Sequence, residues 1–226
     1  MVRRSVQSVE RPMLKGREDE SMKNIETLMK KAAELKSEGL VEGQISEELN
    51  VSSETVTWLL THAEKAGAVP GPKDVSVDWS MIGKSAYRLG HVSQAMADMI
   101  CDVLDRNSCD LDVVVGIALS GLPLATHVAT EMGVDLAVYM PSKQLVSGDA
   151  GQRHGNLGAN FSDVKGKECV IIDDVITSGR TMEETIDYLF DHEAKTNAIA
   201  VLIDKKGIDE ISGVEVCSML KVLRVN

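Results

Sequence analysis

The sequence predicts an α/β protein, a parallel sheet with flanking helices, preceded by a small all-α unit. Three observations carry that prediction. Short, nearly unbroken apolar runs alternate with helical stretches from residue 112 onward, the pattern of parallel strands buried on both faces. Three short amphipathic stretches crowd into the chain before residue 66. Between the two, Ala66-Gly67-Ala68-Val69-Pro70-Gly71-Pro72 breaks all periodicity, because its Gly and Pro residues suit neither a helix nor a central strand.

The elements follow in order. Residues 1–21 mix basic and acidic clusters without periodicity and read as a tail. Residues 22–66 form the helical unit. Ile25, Leu28, Met29, Ala32, Ala33 and Leu35 recur at helical spacing up to Gly39; Val41, Ile45 and Leu49 mark a second helix; Val56, Leu59, Leu60 and Ala63 mark a third. Residues 67–78 are a linker, and 79–226 the α/β domain. There a long helix over about 85–106 precedes strands near 112–117, 136–140, 168–172, 198–203 and 214–219, with helices near 121–131 and 179–192.

A chain of 226 residues can bury a sizeable core in one or two domains. With 43% hydrophobic and 26% charged residues, its composition is that of a globular protein rather than a disordered one. Its longest apolar runs, such as Val113 to Leu119, fall far short of the roughly 20 residues of a membrane span. The basic residues near the start lead into no apolar signal core, so a cytoplasmic location without membrane contact is expected. Cys101, Cys109, Cys169 and Cys217 are scattered, without metal or redox spacing, and no metal site is expected on the protein itself. A net charge of -11 argues against non-specific coating of nucleic acid.

The strongest local signal runs from Cys169 to Thr181, Cys-Val-Ile-Ile-Asp-Asp-Val-Ile-Thr-Ser-Gly-Arg-Thr. It reads as a buried strand, two acids at its carboxyl end, a small-residue loop and a helix start, and ligands of open α/β sheets bind at that end. Adjacent carboxylates suit vicinal hydroxyls, while loop N–H groups, hydroxyls and the helix dipole surround an anion. The segment resembles the signature of type I phosphoribosyltransferases for phosphoribosyl pyrophosphate (PRPP). That resemblance implies that Asp173 and Asp174 hold ribose hydroxyls, and that Thr177, Ser178, Gly179, Arg180 and Thr181 cradle the 5′-phosphate. A second segment, Val115 to Ala125, resembles the same fold's pyrophosphate loop, with Ala118, Leu119, Ser120 and Gly121 facing the diphosphate and Mg2+ arriving through the bound PRPP. No G-x-x-x-x-G-K-[ST] occurs, and no G-x-G-x-x-G follows a strand.

Between Met140 and Glu168 a polar, Gly-rich stretch supplies the catalytic candidates Lys143, Arg153 and His154. It resembles the catalytic loop of orotate phosphoribosyltransferases, in which a Lys two residues before a His-Gly pair neutralises the departing pyrophosphate; here that position is Gln152. Where those enzymes carry a Ser-Gly-rich hood and a carboxylate-binding Arg, this chain has Trp79 to Arg88 and Asp204-Lys205-Lys206. Two readings stay open: a domain that binds PRPP without turnover, and an active phosphoribosyltransferase for orotate or a purine base.

Residues 39–61 resemble a bacterial or archaeal helix-turn-helix, with Ile45, Leu49, Val51, Val56 and Leu60 at its packing positions, Ser46 at the close approach, Asn50 at the turn and Ser52 as N-cap. If the third helix enters a major groove, Ser53, Thr57, Trp58, Thr61 and His62 face the DNA. That helix has no Arg, and a three-helix unit that docks protein is the alternative. A homodimer placing two readers about 34 Å apart on a palindromic operator would offset the weak charge. The order of the parts resembles the archaeal orotate phosphoribosyltransferase-like transcriptional regulators, a family linked to sugar catabolism. It implies double-stranded operator DNA and PRPP or a related nucleotide as partners.

Overall fold

The computed structural model describes residues 18–62, 74–144 and 155–223. Helices α1 (Glu18–Ser37), α2 (Glu42–Glu48) and α3 (Ser53–Thr61) form the N-terminal unit. α1 begins inside the stretch expected to be a tail. The sequence there has no apolar periodicity, which hid the helix start. Between α2 and α3, Asn50 takes a left-handed φ of 51°, and Ser52 caps α3 by accepting the Thr55 N–H at 3.2 Å.

Met29, Ala32, Ile45, Leu49, Val51, Val56 and Leu59 make the core of this unit. So small a unit is marginal alone, which makes its contacts with the rest of the chain part of its stability. The end of the expected linker supplies some of them. Asp74 accepts hydrogen bonds from the Ser52 N–H and the Thr55 hydroxyl, both at 2.8 Å, and the Asn50 amide donates to the Val77 carbonyl. From Asp74 onward the linker is therefore a strap along the helices.

The α/β domain follows as α4 (Ser80–Gly83), α5 (Ala86–Asn107), β1 (Val113–Ile117), α6 (Gly121–Met132), β2 (Asp135–Met140), a 3-10 turn (Ser142–Gln144), β3 (Asn156–Leu157), β4 (Glu168–Ile176), α7 (Arg180–Asp191), β5 (Lys195–Asp204), β6 (Glu210–Ile211) and β7 (Val214–Lys221). The sheet order is β3-β2-β1-β4-β5-β7-β6. β2, β1, β4, β5 and β7 are parallel, and β3 and β6 close the edges antiparallel. The edge strands have two residues each, too short for any periodic signal in the sequence.

Alternation along the strands builds two apolar layers. Val113, Val115, Ile117, Cys169 and Ile171 pack with Met182, Ile186 and Leu189 of α7. Val114, Val170, Ile172, Ala198 and Ala200 pack with α5 and α6 through Ile100, Leu104, Leu124 and Val128. Each fully buried aliphatic side chain of this kind contributes about 1.5–3 kcal/mol, so the sheet is anchored from both faces. β4 runs past its expected end near Ile172 to Ile176, because Asp173, Val175 and Ile176 find partners in Val201, Ile203 and Asp204 of β5. Asp173 and Asp174 consequently lie within the paired strand, not beyond it.

Candidate functional site

β1 and β4 are adjacent, parallel and in register from Val113–Cys169 to Gly116–Ile172, so the segments that follow them emerge on the same edge of the sheet. The first is Ala118-Leu119-Ser120, with a cis peptide bond between Ala118 and Leu119, leading into α6. The second is Thr177-Ser178-Gly179, leading into α7. Gly179 sits at φ 90°, where a side chain would be strained, and helix geometry leaves the first N–H groups of α7 without partners inside the helix. Gly121 lets the two segments touch: a Cβ there would lie 2.8 Å from the Asp173 Cα, its Oδ1 and the Ile172 carbonyl.

Both acids face this junction. Asp174 is held by the Ser120 hydroxyl at 2.8 Å and the Trp79 indole N–H at 2.9 Å, and Asp173 accepts the Asp174 N–H at 2.8 Å. Burial, then the neighbouring Asp174 and Glu47 charges, push the Asp173 carboxyl well above the usual carboxylate range. Lys143, in the turn after β2, donates to the Thr181 hydroxyl at 2.8 Å and pairs with Glu47 of α2 at 2.5 Å. Gln144 donates to both Glu47 and the Ala118 carbonyl.

Thus the structure brings Asp173, Asp174, Thr177, Ser178, Gly179 and Thr181 together with Ala118, Ser120 and Lys143 around one small cavity of about 30 Å³. Gly121 abuts Asp173 from behind, Arg180 is exposed at the start of α7, and Leu119 turns its side chain outward. Ser46, Glu47 and Asn50 of the helical unit complete the wall. A wider cleft of about 930 Å³ adjoins it along Glu47, Ser120 and Asp174, with Trp79, Lys84 and Met140 at its sides. Arg153 and His154 lie outside the described residues.

Several residues that shape the site carry no local sequence signal. Glu184 of α7 accepts hydrogen bonds from the Tyr139 hydroxyl, the Ser142 N–H and hydroxyl, and the Gly155 N–H, which fixes the turn that carries Lys143. Burial and the Glu184 charge push the Tyr139 hydroxyl far up, so it stays a donor. The Asp204 carboxylate accepts the N–H groups of Lys206, Gly207 and Ile208, and this turn aims Lys205 at the helical unit. The Lys205 ammonium pairs with Asp74 at 2.9 Å and donates to the Asn50 carbonyl at 2.8 Å, with both charged side chains largely buried. Although burial works in the other direction, hydrogen bonds from Ser52, Lys205 and Thr55 hold the Asp74 carboxyl well below the usual range. Glu47, Trp79 and Gln144 are equally silent in sequence, because each acts on residues far along the chain.

On α3, Ser53, Thr57 and Thr61 are exposed, while Trp58 and His62 are half-buried and their rings stack at 5.1 Å. The Thr57 hydroxyl donates to Glu42 and to the Ser53 carbonyl. Trp58 packs against the core of the helical unit and is only partly presented to solvent.

The parallel sheet, the paired acids and the hydroxyl-lined loop define a phosphoribosyltransferase fold, and the Phosphoribosyl transferase domain family matches residues 79–211. Solved structures agree on the fold: orotate phosphoribosyltransferase from Aeropyrum pernix superposes with a TM-score of 0.52 at 20% identity, over 69% of this chain and 83% of that one. Adenine phosphoribosyltransferase from Thermoanaerobacter pseudethanolicus gives 0.51 at 15% identity, over 67% and 90%. The chain itself belongs to the GfcR family of transcriptional regulators. It is 71% identical over 205 residues to transcriptional regulator GfcR of Methanothrix thermoacetophila, covering 91% of this chain and 100% of that protein. It is 42% identical over 211 residues to the Haloferax volcanii regulator, covering 90% and 99%.

Proposed function

We propose that this regulator reads operator DNA through its N-terminal helices and binds PRPP, or a nucleotide with the same phosphorylated ribose, in its phosphoribosyltransferase-fold domain. One observation carries the reading: two carboxylates and a hydroxyl-lined anion cradle meet at the carboxyl ends of adjacent parallel strands, and the helix-turn-helix unit is docked on that same spot. Ligand occupancy and the position of the DNA reader then bear on each other, which is what an effector requires.

Asp173 and Asp174 suit the ribose hydroxyls, and the 177–181 segment suits the 5′-phosphate. Among the described residues no group of three or more His, Cys, Asp or Glu could hold a metal ion. Two carboxylates fit a Mg2+ ion that takes its remaining oxygens from the ligand's phosphates and from water. In this reading Mg2+ comes with PRPP and offsets its charge. Among the described residues no helix is long and apolar enough to cross a membrane. A homodimer bringing two copies of α3 to a palindrome supplies the affinity that a chain of net charge -11 lacks. Control of sugar or nucleotide metabolism is the role such an effector suits.

Calorimetry with PRPP and Mg2+ tests the ligand: binding weakened at least about tenfold by Asp174→Ala is expected, and undiminished binding in that variant would remove the site. Selection from a random DNA pool should enrich an inverted repeat, and enrichment of nothing would remove the DNA reader. Pyrophosphate release from PRPP with orotate or purine bases would instead mark a working transferase.

A further inference from the structure

Resting on that reading, we propose that the face of α2 carrying Glu47 is an internal occupant of the sugar-phosphate site, so that a phosphorylated ribose and the docked helical unit exclude one another. Three observations support this. The first is room: the cavity between the 177–181 segment and α2 is about 30 Å³, space for one or two water molecules, and Ser46, Glu47 and Asn50 wall it. A phosphate group on the cradle has to take the place of these side chains.

The second is chemistry. Lys143 bonds to Thr181 in the cradle, where an incoming phosphate needs a cation, and its ammonium is already paired with the Glu47 carboxylate. Gln144 ties the same carboxylate to the Ala118 carbonyl of the other loop. An acidic side chain thus bridges the two anion-binding segments, as an anionic ligand would. The third is charge and fit. Glu47 and Asp174 line one cavity, and the Glu47 carboxylate occupies the cation that a phosphate would use, so phosphate is disfavoured until Glu47 leaves. α2 also packs closely on the turn, since a Cβ on Gly43 would sit 3.3 Å from the Lys143 Cβ.

The consequence is a competition within one chain. Docking hides the cradle and lowers the apparent affinity for ligand by the fraction of molecules that are undocked, while ligand binding shifts the population toward a released helical unit.

The test uses the full-length chain titrated with PRPP and Mg2+. Backbone hydrogen exchange across residues 43–50 should quicken at saturating PRPP, and Glu47→Gln should bind PRPP about threefold to tenfold tighter than the wild type. Exchange that is unchanged or slowed at 43–50 while PRPP is bound, or an affinity unchanged or lowered by Glu47→Gln, overturns the competition and leaves the PRPP site standing. Absence of PRPP binding in both chains overturns the site and, with it, the competition.

Discussion

The cradle after β4 and the outer face of α3 are built from the same small hydroxyl residues, yet the two hold them differently. In the cradle, Thr177, Ser178 and Thr181 surround a cavity at a helix N-terminus, with Lys143 bonded to one of them. On α3 the Thr57 hydroxyl is engaged by Glu42 and by its own helix, and Thr61 donates to the Thr57 carbonyl at 2.7 Å. The first arrangement converges donors on a point and suits a compact anion. The second is a row along a helix beside a carboxylate, so in the proposed DNA reading its hold on a polyanion would depend on partners, geometry and copy number. Residue type alone does not make a site; the backbone that presents it does.

The largest effect should come from the contact that joins these two regions. Lys205→Ala leaves the Asp74 carboxylate largely buried without its cation, and breaking a buried pair in this way costs about 3 kcal/mol. The loss should appear in chemical denaturation of the helical unit, followed by Trp58 emission in a Trp79→Phe background. Acid should mimic it. Because the Asp74 carboxyl is depressed in the folded protein, its contribution is present above the ordinary carboxylate range and is lost as pH falls toward the folded value. A helical unit indifferent to Lys205→Ala would show that docking adds nothing to its stability.

Paired glycine variants sharpen the contrast. Gly121→Ala drives a Cβ to 2.8 Å from the backbone of Asp173 and Ile172, atoms with nowhere to go, and should destabilise the α/β domain by about 2 kcal/mol while weakening ligand binding. Gly43→Ala puts a Cβ 3.3 Å from the Lys143 Cβ and 3.6 Å from its carbonyl oxygen, a tight contact that α2 and the turn relieve by moving apart slightly, and should loosen docking while the α/β domain unfolds as before. Equal effects from the two changes would mean that the cradle is no more rigid than the interface.

The same contrast explains what could be read from the chain. The β4-loop-α7 segment is contiguous, and its unbroken apolar strand, paired acids and Gly179 stand within thirteen residues, so fold and cradle are legible together. Ile45, Leu49, Val51 and Val56 likewise mark their core by spacing. The extension of β4 to Ile176 is not legible, because it depends on partners that β5 supplies about 28 residues later in the register Ile176–Asp204. Nor is the role of Glu47, which on sequence alone is one more acid on a short exposed helix. Lys205 is the instructive case. On sequence alone its position after β5 marks where orotate enzymes carry a carboxylate-binding Arg, and the structure gives its charge to the helical unit.

Asp173 offers a smaller effect of opposite sign. Its carboxyl is raised by burial and by its acidic neighbours, so the folded chain holds a proton that the unfolded chain releases, and stability falls as pH climbs from the ordinary carboxylate range toward the raised folded value. Asp173→Asn keeps an acceptor for the Asp174 N–H and adds an amide donor toward the Asp174 carboxylate. The ligand-free variant should gain on the order of 1 kcal/mol at neutral pH and lose that pH slope, at the expense of PRPP affinity. Thermal unfolding across pH checks it, and a destabilised variant would mean that the buried carboxylate is better paired than its surroundings indicate.

The smallest effect belongs to the helical unit by itself. Ser52→Ala removes the oxygen that caps the Thr55 N–H at 3.2 Å while keeping the backbone N–H that donates to Asp74. A lost N-cap of this kind costs about 1 kcal/mol, and Ser52→Gly only a few tenths. Because the change leaves Lys205, Asp74 and Glu47 in place, it should lower the transition seen by Trp58 and leave the one seen by Trp79, in a Trp58→Phe background, where it was. If both reporters move together, docking has fused the two regions into one cooperative unit, and releasing α2 from the cradle would then require partial unfolding rather than a simple undocking.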